Sequence, residues 1–77
     1  MSLPAIERKA LFKAQVTRDR TTLESAAKEV CGVTWYHLNE GLEGRRAIAA
    51  EVKEKFAHYI GYSAEYVFGS NADASAA

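Results

Sequence analysis

The residues whose chemistry is most versatile are one cysteine and two histidines, and their small number limits what they can do. Cys31, His37 and His58 are too few to supply the Cys and His ligands of a structural zinc site. No nucleophile or second titratable group stands at a spacing from His37 that would let it act as a base. We therefore expect no metal, no cofactor and no enzymatic activity. We interpret His37 as a partly buried side chain and Cys31 as a small buried one.

A denser group of polar and aromatic side chains lies in the middle of the chain. Thr34 is suited to cap the start of a helix, where it and the free first-turn N–H groups would hold a phosphate. In the helix that follows, Tyr36 and Glu40 would point away from the core. Asn39 would flank them, and Trp35 would lie near the boundary of that face. Amide, carboxylate and aromatic side chains can read adenine, cytosine and the thymine methyl group in a DNA major groove, so these four residues are candidate base contacts.

Two adjacent arginines, Arg45 and Arg46, follow this helix and its closing glycine, Gly44. Guanidinium groups form charge-assisted hydrogen bonds to phosphate oxygens, so their position favours phosphate contact over simple coverage of the helix end.

The candidate base contacts also have plainer interpretations. The amide and the carboxylate could simply be solvated, and the two aromatic rings could pack against a neighbouring helix or a partner protein.

The first helix is predicted over residues 3–15, with Pro4 in its first turn and the acidic Glu7 near its start. Its apolar face is predicted from helical spacing to consist of Leu3, Ile6, Ala10, Leu11 and Ala14. Phe12 and Val16 fall outside this face, which indicates either a second packing contact or a helix that ends near residue 16.

A second helix is predicted to begin at Thr21-Thr22-Leu23-Glu24, where a threonine and a glutamate three residues later form a capping box. Helical spacing gives it a face of mostly small side chains, Leu23, Ala26, Ala27 and Val30. Gly32 ends it, because glycine adopts positive φ without strain. Only Gly32 and Val33 then precede Thr34, so the third helix, residues 35–43, must cross the second steeply, as in a helix-turn-helix.

The later helices follow the same rules of spacing and capping. The third helix buries Leu38, Gly41 and Leu42, with Gly41 as a site of close approach to a neighbour. A fourth helix carries an apolar face and ends at Gly61, and Ser63 caps a short fifth helix that ends at Gly69. The apolar positions of the fourth helix are Ala49, Val52, Phe56 and Ile60, and those of the fifth are Tyr66, Val67 and Phe68. Residues 70–77 are predicted to form a disordered tail.

Residues 22–46 resemble the helix-turn-helix of the repressor/Cro-type (XRE-like) DNA-binding family of phage and bacterial regulators. The turn Gly32-Val33-Thr34, the aliphatic residues Leu38 and Leu42, and the closing Gly44-Arg45-Arg46 occupy the places that the family's pattern assigns to such residues. The flanking helices extend the resemblance to about residues 4–69. It implies a repressor-like DNA-binding domain.

One spacing departs from that pattern. The interval from Ala27 to Gly32 is one residue longer than in the family, with Cys31 as the additional residue. The departure predicts a widened turn before the third helix. Gly41 also stands where an aliphatic core residue is common in the family, which is consistent with its interpretation as a close-approach site.

Ten basic and ten acidic side chains balance over the whole chain of 77 residues, so the excess of positive charge that is typical of DNA-binding domains is missing from the total. The distribution is uneven, because residues 1–20 hold five basic side chains against two acidic ones.

A single cysteine cannot form an internal disulfide, no apolar run approaches the ~20 residues that cross a bilayer, and no signal peptide is visible. We therefore expect a cytoplasmic protein without membrane contact.

The sequence as a whole predicts an all-α fold, a compact bundle of four helices plus a short fifth within residues 1–69. The expected function is sequence-specific binding of double-stranded DNA by a homodimer, as a small transcriptional regulator. The resemblance implies a repressor of phage or mobile-element type. The alternative is a protein-interaction module with the same fold, such as an antitoxin or antirepressor, and the zero net charge favours it.

Overall fold

The computed structural model describes residues 3–69, and within them the chain is all-helical. The five α-helices of this part are α1 (Ala5–Arg18), α2 (Leu23–Ala26), α3 (Trp35–Leu42), α4 (Ala50–Ile60) and α5 (Ala64–Phe68). A π-helical turn, Ala27–Cys31, continues α2. The predicted all-α class is confirmed. The predicted disordered tail, residues 70–77, lies outside the described residues.

The buried apolar residues form one cluster to which every helix contributes. They are Phe12, Val16, Ala26, Ala27, Cys31, Leu38, Leu42, Phe56, Ala57, Ile60 and Val67. Helix α1 contacts α2, α3 and α4, and α4 in turn contacts α5 and the π-helical turn. Cys31 is buried in this cluster as predicted, and burial raises the pKa of its thiol to about 11.

The ring of Phe12 joins three helices. It is fully buried, and its centroid lies 5.6 Å from that of Trp35 in α3, with the two rings parallel to within 3°. It also lies 5.2 Å from the ring of Phe56 and 5.5 Å from the ring of Tyr59, both in α4. Aromatic pairs contribute about 0.5–1.5 kcal/mol each beyond the area they bury. Phe12 is therefore the residue around which α1, α3 and α4 pack.

The face predicted for the first helix is wrong at three of its five positions, whereas Leu3 and Leu11 are half-buried and pack against the core. Ile6 is 75% exposed, Ala10 and Ala14 are exposed, and the helix buries Phe12 and Val16 instead. The helix also continues past residue 16, to Arg18. The physical reason is the size of the side chains, because burying a phenylalanine and a valine removes far more apolar surface from water than burying two alanines.

The capping box predicted for the second helix is wrong by one residue. The N-cap is Thr22, whose hydroxyl oxygen accepts a hydrogen bond from the backbone N–H of Ser25 at 3.1 Å. The backbone N–H of Thr21 donates to the carbonyl of Val16 at 3.1 Å, which closes the end of α1, and the cap falls on the next residue. Arg20, at φ 56°, makes the chain reversal between these two helices.

The additional residue at Cys31 is accommodated by a wider turn of the second helix and not by a wider connection to α3. In a π-helix each backbone N–H reaches back five residues, so the turn Ala27–Cys31 accommodates one residue more than an α-helical turn. The N–H of Gly32 is shared between the carbonyls of Ala27 and Lys28, and Gly32 adopts φ 73°. The prediction that Gly32 ends the second helix is confirmed. Cys31 lies inside the helix, and the connection to α3 keeps its short length.

The third helix buries the face that its spacing predicts. Leu38, Gly41 and Leu42 are all buried, and Thr34 is the N-cap. A Cβ atom built on Gly41 would lie 2.8 Å from Cδ1 of Ile48 and closer still to its Cγ1. The prediction of close approach at Gly41 is therefore confirmed. The segment before α4 crosses α3 at this point.

The last two helices also follow the predicted caps. Phe56 and Ile60 are buried, Gly61 ends α4 at φ 87°, and the Ser63 hydroxyl oxygen accepts from the N–H of Tyr66 at 3.1 Å. Ala49 is the exposed N-cap of α4 and not part of its buried face.

Two hydrogen bonds join the two ends of the α1 region to the last two helices. Leu3 N–H donates to the Val67 carbonyl at 3.0 Å, and the Tyr59 hydroxyl donates to Asp19 at 2.7 Å.

Replacement of Phe12 by alanine is expected to lower the free energy of unfolding by about 3–5 kcal/mol, because it removes a buried ring and leaves a cavity. The matched control on the same helix is Ile6→Ser, which removes an exposed apolar side chain and is expected to change stability by no more than about 0.5 kcal/mol. Urea unfolding followed by circular dichroism measures both. A larger loss for Ile6→Ser than for Phe12→Ala would contradict the observed orientation of α1.

Gly41→Val is expected to destabilise the fold by about 1–3 kcal/mol through overpacking against Ile48. Thermal and urea unfolding of Gly41→Val, Ile48→Ala and the double variant test this contact. The double variant should lose less stability than the two single losses added together, because truncation of Ile48 makes room for the new side chain. A Gly41→Val protein as stable as the parent would show that α3 and the segment before α4 do not meet here.

Candidate nucleic-acid interface

The start of α3 is organised by Thr34. Its hydroxyl oxygen accepts the backbone N–H of His37 at 3.2 Å and lies 3.1 Å from the ring nitrogen Nδ1 of the same residue. His37 is exposed, so its interpretation as a partly buried side chain is wrong. The reason is its place in the helix, because one position before the buried Leu38 it falls on the solvent side, where the cap holds its ring.

The candidate base contacts occupy the outer side of α3 to different degrees. Tyr36 is 64% exposed, and its ring lies 5.9 Å from that of His37. Asn39 and Glu40 are half-buried. The outermost groups are thus a phenol and an imidazole near the start of the helix, with an amide and a carboxylate further along it.

Trp35 differs from these residues because its ring is engaged on the inner side. It is half-buried and lies parallel to Phe12, in the stack that joins α1 to α3. This contact fixes the first residue of α3 against the core. The direction in which the outer face of α3 points therefore depends on Trp35.

Arg45 folds back onto α3 through both its backbone and its side chain. Its N–H donates to the carbonyl of Glu40 at 2.9 Å, after Gly44 has reversed the chain at φ 84°. Its guanidinium donates to Oε2 of Glu40 from Nε at 3.0 Å and from Nη2 at 2.7 Å. This hydrogen-bonded ion pair lowers the pKa of the Glu40 carboxyl and raises that of Arg45.

The end of α3 is held by basic residues of α1. The Lys9 ammonium forms an ion pair with Glu43, and its hydrogen bond lowers the pKa of that carboxyl. Arg8 donates from Nη1 to the carbonyl of Leu42 at 3.1 Å, and its guanidinium lies 4.9 Å from the ring centre of Phe68. Part of the basic excess of the first twenty residues is therefore engaged within the fold.

Arg46 is exposed and borders an apolar cavity of about 240 Å³ between α3 and α4. The cavity is lined by Val33, His37, Leu38, Arg46, Ala47, Ile48, Ala49 and Val52. Among the described residues Arg46 takes part in none of the ion pairs, whereas Arg45 pairs with Glu40 and lies 3.9 Å from Glu43. Both arginines are positively charged, but the charge of Arg45 is balanced by carboxylates, whereas Arg46 takes part in no ion pair among the described residues.

Sequence reasoning missed the partners of these charges. Lys9 and Glu43 are 34 positions apart, and no local pattern relates them. Glu40 and Arg45 are five positions apart, which is not a helical pairing distance, so only the chain reversal at Gly44 brings them together. The basic run at the start of the chain was the one available signal that α1 would contribute to this surface.

No family model matches the chain, and neither a curated protein nor a solved structure is similar enough to count as a match. Within residues 3–69, no helix combines the length and the apolar character needed to cross a bilayer. The same part of the chain holds no group of three or more His, Cys, Asp or Glu side chains placed to bind a metal ion.

Each ion pair predicts that removal of its cation raises the pKa of the carboxyl that the cation holds. Arg45→Ala should raise the pKa of Glu40 toward about 4.3, the ordinary value for a glutamate, whereas Lys9→Met should raise that of Glu43. NMR titration of the side-chain carboxyl carbons in both variants and the parent measures these values. A Glu40 pKa unchanged by Arg45→Ala would contradict the ion pair.

The same pairs set the sign of a pH effect on stability. Both carboxyls have lowered pKa values in the folded state, so their contribution is fully present above the ordinary pKa and is lost as the pH falls through the lowered values. Each substitution should therefore reduce the loss of stability that the parent shows on acidification.

Proposed function

We propose that this protein binds double-stranded DNA as a small helix-turn-helix regulator, with α3 as the recognition helix. The observation that carries the proposal is the composition of one exposed surface. Tyr36, Asn39 and Glu40 lie along the outer side of a helix that is capped by Thr34 and followed by two arginines. Such a surface joins groups that read bases to groups that bind phosphate.

The residues divide into roles by their contacts. Arg46, exposed at the end of the helix, would anchor a phosphate, and Thr34 with the first-turn N–H groups would hold another at the opposite end. Tyr36 and Asn39 would contact base edges. Trp35 would act mainly through its stack on Phe12, which aims the helix, and would offer its remaining exposed edge to DNA.

We further propose that the chain binds its site as a homodimer and acts as a repressor of phage or mobile-element type. A domain of this size makes few base contacts alone, and two copies on a symmetric site double them. The proposed contact between copies is the exposed pair Tyr62 and Tyr66, whose rings stack 5.1 Å apart at α5.

A second candidate function is supported by the charge arrangement. Because Glu40 neutralises Arg45 and Glu43 pairs with Lys9, the surface around α3 is less positive than its count of basic residues indicates. The exposed Tyr36 and the apolar cavity beside α3 are also suited to holding an apolar side chain of a protein. An antitoxin-like or antirepressor-like protein-binding role would use this same surface.

The test of DNA binding begins with selection of bound sequences from a random duplex pool, followed by anisotropy titrations on the selected and on mixed-sequence DNA. Asn39→Ala and Tyr36→Ala are expected to cost about 1–3 kcal/mol on the selected sequence and little on mixed-sequence DNA. Arg46→Ala should weaken binding to both DNAs. It should also reduce by about one unit the salt slope, by which we mean the steepness with which the logarithm of the binding constant falls with the logarithm of the salt concentration, since one phosphate contact is lost.

Arg46→Lys is the matched control, because it keeps the positive charge and should keep the salt slope. Absence of duplex binding by the parent at about 50 mM salt, where phosphate contacts are strong, would contradict the proposal and favour the protein-binding role. Neutral effects of both Asn39→Ala and Tyr36→Ala on the selected sequence would show that α3 is not the base-reading helix.

A further inference from the structure

The ion pair between Glu40 and Arg45 joins a candidate base contact to a candidate phosphate contact. Nε and Nη2 of the guanidinium both donate to the same carboxylate oxygen, Oε2, so the pair does not use Oε1. The Nε–Nη2 edge that holds Glu40 is one of the edges that a guanidinium presents to phosphate in a bidentate contact, and Nη1, on its other side, lies 3.9 Å from Oε1 of Glu43. A phosphate and the Glu40 carboxylate would therefore compete for one edge of Arg45.

The two partners differ in freedom to move. The side chain of Arg45 is 57% exposed, whereas that of Glu40 is 20% exposed. An exposed ion pair of this kind is a weak interaction in water, so a phosphate oxygen nearby can replace the carboxylate. Arg45 is thus the partner that can turn away, while Glu40 stays at the surface of α3.

Departure of Arg45 leaves a charged carboxylate facing the DNA. In front of a polyanion this is unfavourable unless the carboxylate accepts a hydrogen bond, and the donor that suits it in the major groove is the N4 amino group of cytosine. The charge of Arg46 also acts on the Glu40 carboxyl, but Arg45 is the cation that forms an ion pair with it, and the nearby Lys9 is paired with Glu43. The base that Glu40 meets therefore decides whether Arg45 can leave.

We propose that Glu40 is a specificity-determining residue that couples base reading to phosphate binding through Arg45. On DNA without cytosine at this position, Arg45 stays on Glu40 and contributes no phosphate contact. On DNA that offers cytosine there, Glu40 accepts from the amino group and Arg45 moves to a phosphate. The proposal rests on the DNA-binding function proposed above and adds the means by which random sequences are rejected.

Arg46 provides an internal comparison. It is adjacent to Arg45 and equally basic, but among residues 3–69 it forms no ion pair with a carboxylate. Its phosphate contact would not depend on the base sequence. Removal of Arg46 and removal of Arg45 are therefore expected to differ in their dependence on the DNA used.

The experiment measures dissociation constants at several salt concentrations for the parent, Glu40→Gln, Arg45→Ala, Arg46→Ala and the double variant Glu40→Gln with Arg45→Ala. Each is titrated with the selected duplex and with a mixed-sequence duplex. Arg45→Ala should lower the salt slope by about one unit on the selected duplex and leave the slope on mixed DNA unchanged. Arg46→Ala should lower the slope on both.

Glu40→Gln is the decisive variant, since it removes the charge and keeps the shape. On mixed-sequence DNA it should raise the salt slope by about one unit and tighten binding at low salt, because Arg45 is released to a phosphate. The double variant should lose that gain. Repeated selection with Glu40→Gln should replace a cytosine preference at one position of each half-site by adenine, which glutamine reads bidentately.

The outcomes separate the two proposals. If the parent binds DNA but Glu40→Gln leaves the salt slope on mixed DNA unchanged, the coupling is wrong and DNA binding stands. The coupling is equally wrong if Arg45→Ala weakens both duplexes alike in the parent. If the parent binds no duplex at about 50 mM salt, the DNA-binding function is wrong, and the coupling is then wrong as well.

Discussion

The stacking of Phe12 against rings of two other helices is the contact on which the structure depends. A chain of this length buries only about 60% of the surface that its unfolded state exposes, so few side chains carry most of the burial. Phe12 touches Trp35 at the start of α3 and Phe56 and Tyr59 in α4. Because α3 begins at this stack, the orientation of the proposed recognition surface is set in the core.

The remaining constraints on α3 act at its far end. Arg8 holds the last carbonyl of the helix, Lys9 holds Glu43 beyond it, and Gly41 allows the segment before α4 to lie against its inner side. The helix is thus held at its start, along its buried side and at its end. The outer side, with Tyr36 and Asn39, is the part left for a partner.

These constraints also account for the charge of the surface. Arg8 and Lys9, which hold α3 in place, are engaged within the fold and are not free to bind phosphate. Arg45 is likewise engaged by Glu40. With its total charge balanced, the domain has no overall positive charge to attract DNA, so binding would depend on how its basic residues are placed. Selectivity in the use of its few arginines is what the proposed function requires, and the Glu40–Arg45 pair is placed to supply it.

The features that depend on near neighbours could be predicted from the sequence. Caps at Thr34 and Ser63 and the helix end at Gly32 follow from side chains and φ angles within a few residues, and so does the buried face of α3. The tertiary structure was needed to show which face of α1 is buried, that a π-helical turn takes up the additional residue at Cys31, and which charges pair. The physical reason is that burial and ion pairing depend on partners distant in the chain, and neither spacing nor propensity reports their position.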